Sequence, residues 1–278
     1  MMNNKLILSF TLILALFLMI GAVSAEGWFD FFNGNNSSEN DNETFIVGVG
    51  ENFPPFLYDD NGEYSGFDIE LAKEVAKRNN WTIKFLPVID WDTKEFELNS
   101  NEIDCIWSEL TINGREDEFT WSSPYFKNTQ DFIVRSNDSI DSLDDLKGKV
   151  VEVVVSSSVA SSLNGENKSI KDTFAKVHEV NDYNSAFVDL KSGVCDAIIC
   201  DGGYSDYQIK DKFSDGSLKI LDKPLAYEEY GIGFKKGNDD LKNQVQKTLD
   251  EMFKDGTVGR IAQNYTDYNI PDGIIHPF

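Results

Sequence analysis

The chain has 278 residues and a formal net charge of −23, from 48 acidic and 25 basic residues. This charge argues against nucleic acids and anionic lipid surfaces as partners, because it would be repelled by both. The two histidines and three cysteines show no metal-ligand spacing, so neither a metal site nor a cofactor is predicted.

The N-terminal region has the pattern of a secretory signal. Lys5 precedes a largely apolar run over residues 6–23, and small residues follow at 23–25. A helix over this run would be about 27 Å long, close to the thickness of a bilayer core. Residues 1–25 are therefore predicted to be either a cleaved signal peptide or a retained membrane anchor. Both interpretations place the protein outside the cytoplasm, as a secreted, cell-surface or periplasmic protein.

Residues 26–44 are rich in Asn, Ser, Gly and acids and have no apolar period, which predicts a disordered spacer. The remainder is too long for one small core and suits two lobes of about 115 residues each.

The first lobe begins with a β-α-β-α-β pattern. Residues 45–49 predict a strand, which a loop with two prolines ends. A helix is predicted from residue 67 to 77, with Ser65 as its cap and Asp68 in its first turn. A strand at 82–86, a helix after Asp90 and a strand at 104–107 complete a pattern typical of a parallel sheet.

The second half repeats this scheme. It begins with a capped helix at 142–146. Strands are predicted at 150–155, 176–180 and 196–200, and helices open at 156–158 and span 184–190. An extended segment at 227–234 then leads back to helices at 239–253 and 257–264. Lobe one is therefore predicted to be discontinuous, over 45–128 and 229–278, with lobe two at 129–228. Two connections between lobes predict two hinge crossings with a cleft between them.

Two segments echo each other. Residues 97–109 and 189–201 both predict a helix end, a tight turn, an aspartate, a buried strand and a final acid. Glu109 and Asp201 occupy equivalent positions, so each lobe presents one carboxylate at the carboxyl end of a strand, where such sheets bind ligands. After the first strand, Ser108, Thr111 and Arg115 add hydroxyls and a guanidinium, which suit a small carboxylic acid.

The ordered motifs of residues 45–265 resemble the extracellular solute-binding proteins of family three, the polar amino acid receptors of ABC importers. They include residues 66–72, the 111–115 segment, residues 122–125, 230–234 and 255–257. The resemblance implies a type II periplasmic-binding-protein clamshell of α/β class, each lobe a mainly parallel sheet flanked by helices. It implies a monomer that binds a polar or cationic amino acid and delivers it to a membrane permease.

Carried onto this sequence, the resemblance implies that Arg115 and Thr111 hold the ligand α-carboxylate, helped by backbone N–H groups around Ser157 and Ser158. Asp201 would hold the α-ammonium group. The rings of Phe53 and Trp91 would sandwich the ligand side chain, and Ser108 would offer its hydroxyl or carbonyl group.

Three positions depart from the family pattern. Arg115 follows the threonine one residue sooner than usual, Gly50 stands where several relatives carry an aspartate, and Glu109 replaces a small residue. A carboxylate at 109 would favour a ligand with a second amine.

Several alternatives stay open at this level. Arg115 could form a surface ion pair, the serines could serve only as a helix cap, and Glu109 could bond loop N–H groups. Trp107 and Phe56 are expected in the core. The cysteines Cys105, Cys195 and Cys200 are expected as buried free thiols, the alternative being a bridge between Cys105 and Cys195.

The functional alternatives are a ligand-sensing ectodomain for a separate receptor and an enzyme resembling cyclohexadienyl dehydratase on the same fold. In the enzyme, Glu109 would be the general acid. Neither histidine accompanies a plausible nucleophile, so a binding protein rather than an enzyme is predicted.

Overall fold

The computed structural model describes residues 43–276, which contain two β-sheets and their surrounding helices. The first sheet has five strands in the order β4-β1-β5-β13-β6. They are β1 (Thr44–Val49), β4 (Thr82–Pro87), β5 (Cys105–Ile106), β6 (Thr120–Trp121) and β13 (Gly233–Phe234). Strands β4, β1 and β5 are parallel, and β13 and β6 extend the sheet in antiparallel fashion.

The second sheet repeats this arrangement. Strands β9 (Lys176–Val180), β8 (Val150–Val154) and β10 (Ala197–Asp201) form its parallel part, with β9 at the edge. The long strand β7 (Phe126–Arg135) pairs antiparallel with β10, β11 (Leu218–Ile220) and β12 (Ala226–Tyr230). The hairpin strands β2 (Tyr58–Asp60) and β3 (Glu63–Ser65) form a small separate ladder.

The chain crosses between the sheets twice, between β6 and β7 and between β12 and β13. This confirms the predicted α/β clamshell with two crossings. The proposed lobe boundaries at 128 and 229 stay a prediction.

Helices cover both sheets. In chain order they are α1 (Phe67–Arg78), α2 (Lys94–Ser100), α3 (Ser158–Asn164), α4 (Lys168–Lys171), α5 (Tyr183–Ser192), α6 (Gly202–Tyr207), α7 (Asp239–Lys254), α8 (Thr257–Ala262) and α9 (Ile270–Gly273). Short 3₁₀ turns lie at Trp91–Thr93, Leu143–Leu146 and Gln263–Tyr268, and a π turn at Gln208–Lys212. None of the helices within 43–276 combines the length and apolarity needed to cross a membrane. The predicted signal or anchor and nearly all of the predicted spacer lie outside the described residues.

Helix α6 was not predicted, because two consecutive glycines after Asp201 are typical of a turn. The structure shows a packing reason for them. A Cβ on Gly202 would lie 2.3 Å from Thr129 Oγ1, and one on Gly203 would lie 2.7 Å from Phe56 Cε2. The glycines therefore allow α6 to pack closely against neighbouring elements directly after the strand that ends in Asp201.

The core predictions are confirmed. Trp107 and Phe56 are fully buried. The three cysteines are buried free thiols, so the alternative bridge between Cys105 and Cys195 is not formed.

The start of α1 corrects one prediction. Ser65 does not cap the helix; its hydroxyl donates to Tyr58 Oη, and the N-cap residue is Gly66, whose φ of 121° is unfavourable for other residues. This glycine lies so close to the loop before it that a Cβ would be 2.2 Å from the Phe56 carbonyl oxygen. Its conformation aims the first turn of α1, including Asp68, at the end of β5.

Gly66→Ala is expected to lower the free energy of unfolding by at least about 2 kcal/mol, because the new Cβ would be strained and would collide with backbone. Gly62→Ala is the matched control: Gly62 also has a positive φ of 91°, but nothing lies within 4 Å of a Cβ there. Urea denaturation of both variants measures the difference. Equal losses would show that the close approach at Gly66 contributes nothing.

Candidate functional site

A cavity of about 340 Å³ lies between the two sheets. It is lined by residues at or just after the carboxyl ends of six strands, β1, β4 and β5 from one sheet and β8, β9 and β10 from the other. These are the three parallel strands of each sheet, so the cavity follows the rule that α/β sheets bind ligands at strand carboxyl ends.

All nine residues predicted to bind ligand line this cavity. They are Phe53, Trp91, Ser108, Glu109, Thr111, Arg115, Ser157, Ser158 and Asp201. Their individual roles toward a ligand stay predictions.

Arg115 is held on a loop that is anchored at several points. Thr111 forms a β-bridge with Tyr230, the Arg115 N–H donates to the Ile112 carbonyl, and Trp121 Nε1 donates to the Arg115 carbonyl at 3.1 Å. Within residues 43–276 the guanidinium makes no ion pair with an acidic side chain. The alternative of a surface pair with Glu116 or Asp117 is therefore not what the structure shows.

Trp91 is positioned by its neighbours. Asp90 caps the 3₁₀ turn by accepting a hydrogen bond from the Asp92 N–H at 3.1 Å. Lys94 donates to the Trp91 carbonyl, and its Nζ lies 5.4 Å from the centre of the indole ring, close enough for a cation–π contact. Burial, together with the charge of Arg115, lowers the pKa of Lys94.

Asp201 is nearly buried and its carboxylate is oriented by three donors. Oδ1 accepts hydrogen bonds from Asn128 Nδ2 and Tyr230 Oη, both at 2.6 Å, and Oδ2 accepts one from Tyr183 Oη at 3.2 Å. None of these donors is cationic, and Asp201 forms no ion pair among residues 43–276. This is suitable for a ligand ammonium group.

Glu109 is held in an unusual backbone conformation, with φ of 40°. Its N–H donates to Asp68 Oδ2 at 2.8 Å, and its Oε1 accepts from the Ser108 hydroxyl at 2.7 Å. The other oxygen, Oε2, is buried and has no hydrogen-bond partner among residues 43–276. Burial, and next the charge of Asp68, raise the pKa of Glu109 well above its usual value.

The combination of fold, cavity and side chains matches a known family. A family model of bacterial extracellular solute-binding proteins, family 3, matches residues 45–268. The chain belongs to this family. Its strand-end cavity and its type II periplasmic-binding-protein fold are therefore those of a family-3 protein, as the sequence motifs predicted.

Two comparisons illustrate the sequence relationship. The probable amino-acid-binding protein YxeM of Bacillus subtilis is 31% identical over 247 residues, covering 86% of this chain and 89% of the relative. The L-cystine-binding protein TcyJ of Escherichia coli K12 is 29% identical over 226 residues, covering 80% and 82%. Among solved structures, an ancestral arginine-binding protein bound to arginine is 38% identical with a TM-score of 0.71, covering 80% of this chain and 97% of that one.

Asp68 does not line the cavity of this family-3 protein, but it contacts the lining residue Glu109, and sequence reasoning missed this supporting role. Its first-turn position was predicted, but the side chain is fully buried rather than exposed at the helix end. Oδ2 accepts from the Glu109 N–H and from Tyr125 Oη, and Oδ1 has no partner among residues 43–276. Burial raises the pKa of Asp68 to about 7. The sequence feature that could have indicated this burial is an acidic residue among the apolar positions of α1.

A second buried network joins Asp201 to the crossing strands. Asn128, on β7, donates both to Asp201 and to Glu228 Oε1, and Gln130 donates to Glu228 Oε2 and to Ser158 Oγ. Burial and the neighbouring Asp201 raise the pKa of Glu228 to about 8. Asn128, Tyr183 and Tyr230 were also missed, because their contacts with Asp201 depend on strand pairing and, for Tyr183, on helix packing, which the local pattern does not reveal.

The serines confirm the capping interpretation. Ser157 is the N-cap of α3: its Oγ accepts from the Ala160 N–H at 3.1 Å and donates to the Val154 carbonyl. Contact with a ligand anion stays a prediction.

Phe53 packs on rings from the opposite sheet. Its centroid lies 4.4 Å from that of Tyr204, with the two rings stacked, and 5.7 Å from that of Tyr183. These contacts bring the loop after β1 against residues that follow β9 and β10. A sandwich of ligand between Phe53 and Trp91 stays a prediction.

The sequence similarity between residues 97–109 and 189–201 reflects a shared local structure. Asn101 and Gly193 end helices in left-handed conformations. Asp104 then accepts from the Ile46 N–H at 2.7 Å, and Asp196 accepts from the Val150 N–H at 2.8 Å. Each aspartate ties its strand to the central parallel strand of its own sheet.

The cavity lining is strongly acidic. Six lining residues are acidic and one, Arg115, is basic. The acids are Glu51, Asp90, Asp92, Glu109, Asp182 and Asp201. Asp90 and Asp182 are engaged in helix capping, and Asp201 has three donors, whereas Glu109 keeps a buried oxygen without a partner. Glu51 and Asp92 are exposed to solvent, so Glu109 is the lining carboxylate among residues 43–276 that has a buried oxygen without a hydrogen-bond partner.

Proposed function

We propose that this family-3 protein is the extracytoplasmic binding component of an ABC importer and captures a cationic amino acid. Arg115 and Thr111 hold the α-carboxylate, Asp201 holds the α-ammonium group, and Glu109 receives the second cationic group. Closure of the lobes over the ligand forms the surface that the membrane permease recognises. The protein acts as a monomer and releases its ligand unchanged.

The observation that carries the cationic assignment is the charge balance of the cavity. A zwitterionic amino acid brings one positive and one negative group, which Asp201 and Arg115 can pair. Glu109 then remains with an unpaired buried oxygen, and an uncompensated buried charge is costly. A ligand with a second positive group removes that cost, whereas glutamate would add a further negative charge.

The position of Glu109 relative to Gly50 supports this assignment. A Cβ on Gly50 would lie 3.7 Å from Glu109 Oε1 and 3.3 Å from both Ser108 Oγ and Trp91 Cζ3. The carboxylate at 109 thus occupies space that a side chain at position 50 would enter. Glu109 therefore takes the place of an acid at 50 as the group beside the ligand side chain.

A thermal-shift screen of the twenty amino acids with ornithine and cystine tests the proposal. Arginine, lysine or ornithine is expected to stabilise the protein most. A ligand at 100 times its Kd raises the free energy of unfolding by about 2.7 kcal/mol. Calorimetry with arginine and citrulline, a neutral isostere, then isolates the distal charge; arginine is expected to bind at least about tenfold more tightly. Preference for citrulline or glutamate would contradict the cationic assignment, and consumption of the ligand would contradict binding without turnover.

A further inference from the structure

Two acidic residues in direct contact lie at the cavity: Glu109 lines it, and Asp68 is buried behind Glu109. The Asp68 carboxylate accepts the Glu109 N–H at 2.8 Å, so the two residues are directly joined. Neither carboxylate forms an ion pair within residues 43–276, and each has one oxygen without a hydrogen-bond partner there. Two like charges in one buried site oppose each other, so such a pair tends to retain a proton.

Within residues 43–276, the titratable groups that face the pair are acids and tyrosines. The titratable groups that face Glu109 are Asp68 on α1, Tyr125 before β7, Asp201 on β10 and Tyr230 on β12. Asp68 itself faces Tyr125, whose hydroxyl donates to it at 2.8 Å. The cavity-lining Arg115 makes no ion pair with either carboxylate in the described part of the chain.

We propose that Asp68 is a positioning residue that keeps a proton on the Asp68–Glu109 pair in the ligand-free protein, and that the second cationic group of the ligand expels this proton. The inference rests on the proposed function. When the cation reaches Glu109, both groups are carboxylates, and the proton passes to the solvent. No covalent bond to the ligand forms or breaks. Specificity for a cation is thereby linked to pH.

The raised pKa values support this mechanism, since Asp68 is raised to about 7 and Glu109 is raised well above its usual value. A ligand cation favours the ionised carboxylates and lowers both pKa values on binding. Affinity therefore increases as pH rises through the pKa range of the ligand-free pair and is lost on acidification. The logarithm of the association constant is expected to rise by up to about one per pH unit.

Calorimetry of the full protein in two buffers of different ionisation enthalpy counts the protons released. Near pH 7, arginine is expected to release about one proton per ligand bound and citrulline far fewer. Infrared difference spectra give a second measurement, because the band of a protonated carboxylic acid should disappear when arginine is added. That band change should be absent in Glu109→Gln.

Asp68→Asn distinguishes the effect of the Asp68 charge on proton retention from the structural role of its hydrogen bonds. The asparagine oxygen can still accept from the Glu109 N–H and the Tyr125 hydroxyl, but the like charge beside Glu109 is gone. Proton release near pH 7 is expected to fall by at least half, while arginine affinity does not fall. Glu109→Gln is expected to lose both proton release and the preference for arginine over citrulline. Glu152→Gln removes a buried carboxyl on β8 outside the cavity and should leave proton release unchanged.

Arginine binding without proton release between about pH 5.5 and 8 would overturn the inference and leave the proposed function standing. Unchanged proton release in Asp68→Asn, with that variant folded as judged by its thermal unfolding, would overturn the role of Asp68. Failure of every amino acid to bind would overturn the proposed function and this inference together.

Discussion

Arg115→Ala is expected to lower the affinity for arginine by about 3 kcal/mol, or roughly 150-fold, because removing one partner of a buried charged pair leaves the other uncompensated. The partner left uncompensated is the ligand α-carboxylate. Arg115→Lys is expected to recover only part of this loss, because an ammonium group cannot reproduce two parallel hydrogen bonds from a guanidinium. Isothermal titration calorimetry measures both variants.

Agmatine provides the internal control for this prediction, since it is arginine without the α-carboxylate. Its affinity is expected to be weak and nearly the same in the wild type and in Arg115→Ala. Arg78→Ala removes a guanidinium that pairs with Glu74 and Asp255 outside the cavity and should leave arginine affinity unchanged. If Arg115→Ala weakened arginine and agmatine equally, Arg115 would not be the carboxylate-binding residue.

Asp201→Asn is expected to lower arginine affinity by about 2 to 4 kcal/mol, since the buried carboxylate that pairs with the α-ammonium group is neutralised. The asparagine oxygen can keep the hydrogen bonds from Asn128 Nδ2 and Tyr230 Oη, and the NH₂ group then takes the Oδ2 position, where it can no longer accept from Tyr183 Oη or from the ligand ammonium group. Calorimetry with arginine and with its analogue that lacks the α-amino group measures the effect. The analogue is expected to lose far less affinity than arginine.

Asp196→Asn is the matched control for Asp201→Asn, because Asp196 precedes the same strand and accepts the Val150 N–H outside the cavity. It is expected to lower thermal stability and leave affinity unchanged. Equal affinity losses in the two variants would point to a general defect of the second sheet rather than to a ligand contact at Asp201.

The positions of the cavity residues could be predicted because they follow from chain order. Apolar strands alternating with helices predict parallel sheets, and residues directly after such strands meet at one edge. Ser108, Glu109 and Asp201 could therefore be placed from local pattern alone. Arg115 could be placed as well, since only a short loop separates it from β5.

The partners of these residues could not be predicted in the same way. Asp68 lies 41 residues from Glu109, and Asn128 lies 73 residues from Asp201. Such contacts depend on helix packing and on the antiparallel addition of β7, for which the local sequence has no period. The sequence placed Asp68 in the first turn of a helix but did not predict that tertiary packing encloses its side chain.

The left-handed backbone at Glu109 limits how this protein could acquire a different ligand. With φ at 40°, the position disfavours most residues and disfavours β-branched ones most strongly, whereas glycine and asparagine adopt it readily. Neutral drift from glutamate therefore leads more easily toward glycine or asparagine than toward valine, isoleucine or threonine. The backbone conformation at position 109 therefore limits which side chains can stand there, and so limits which ligands the site can come to bind.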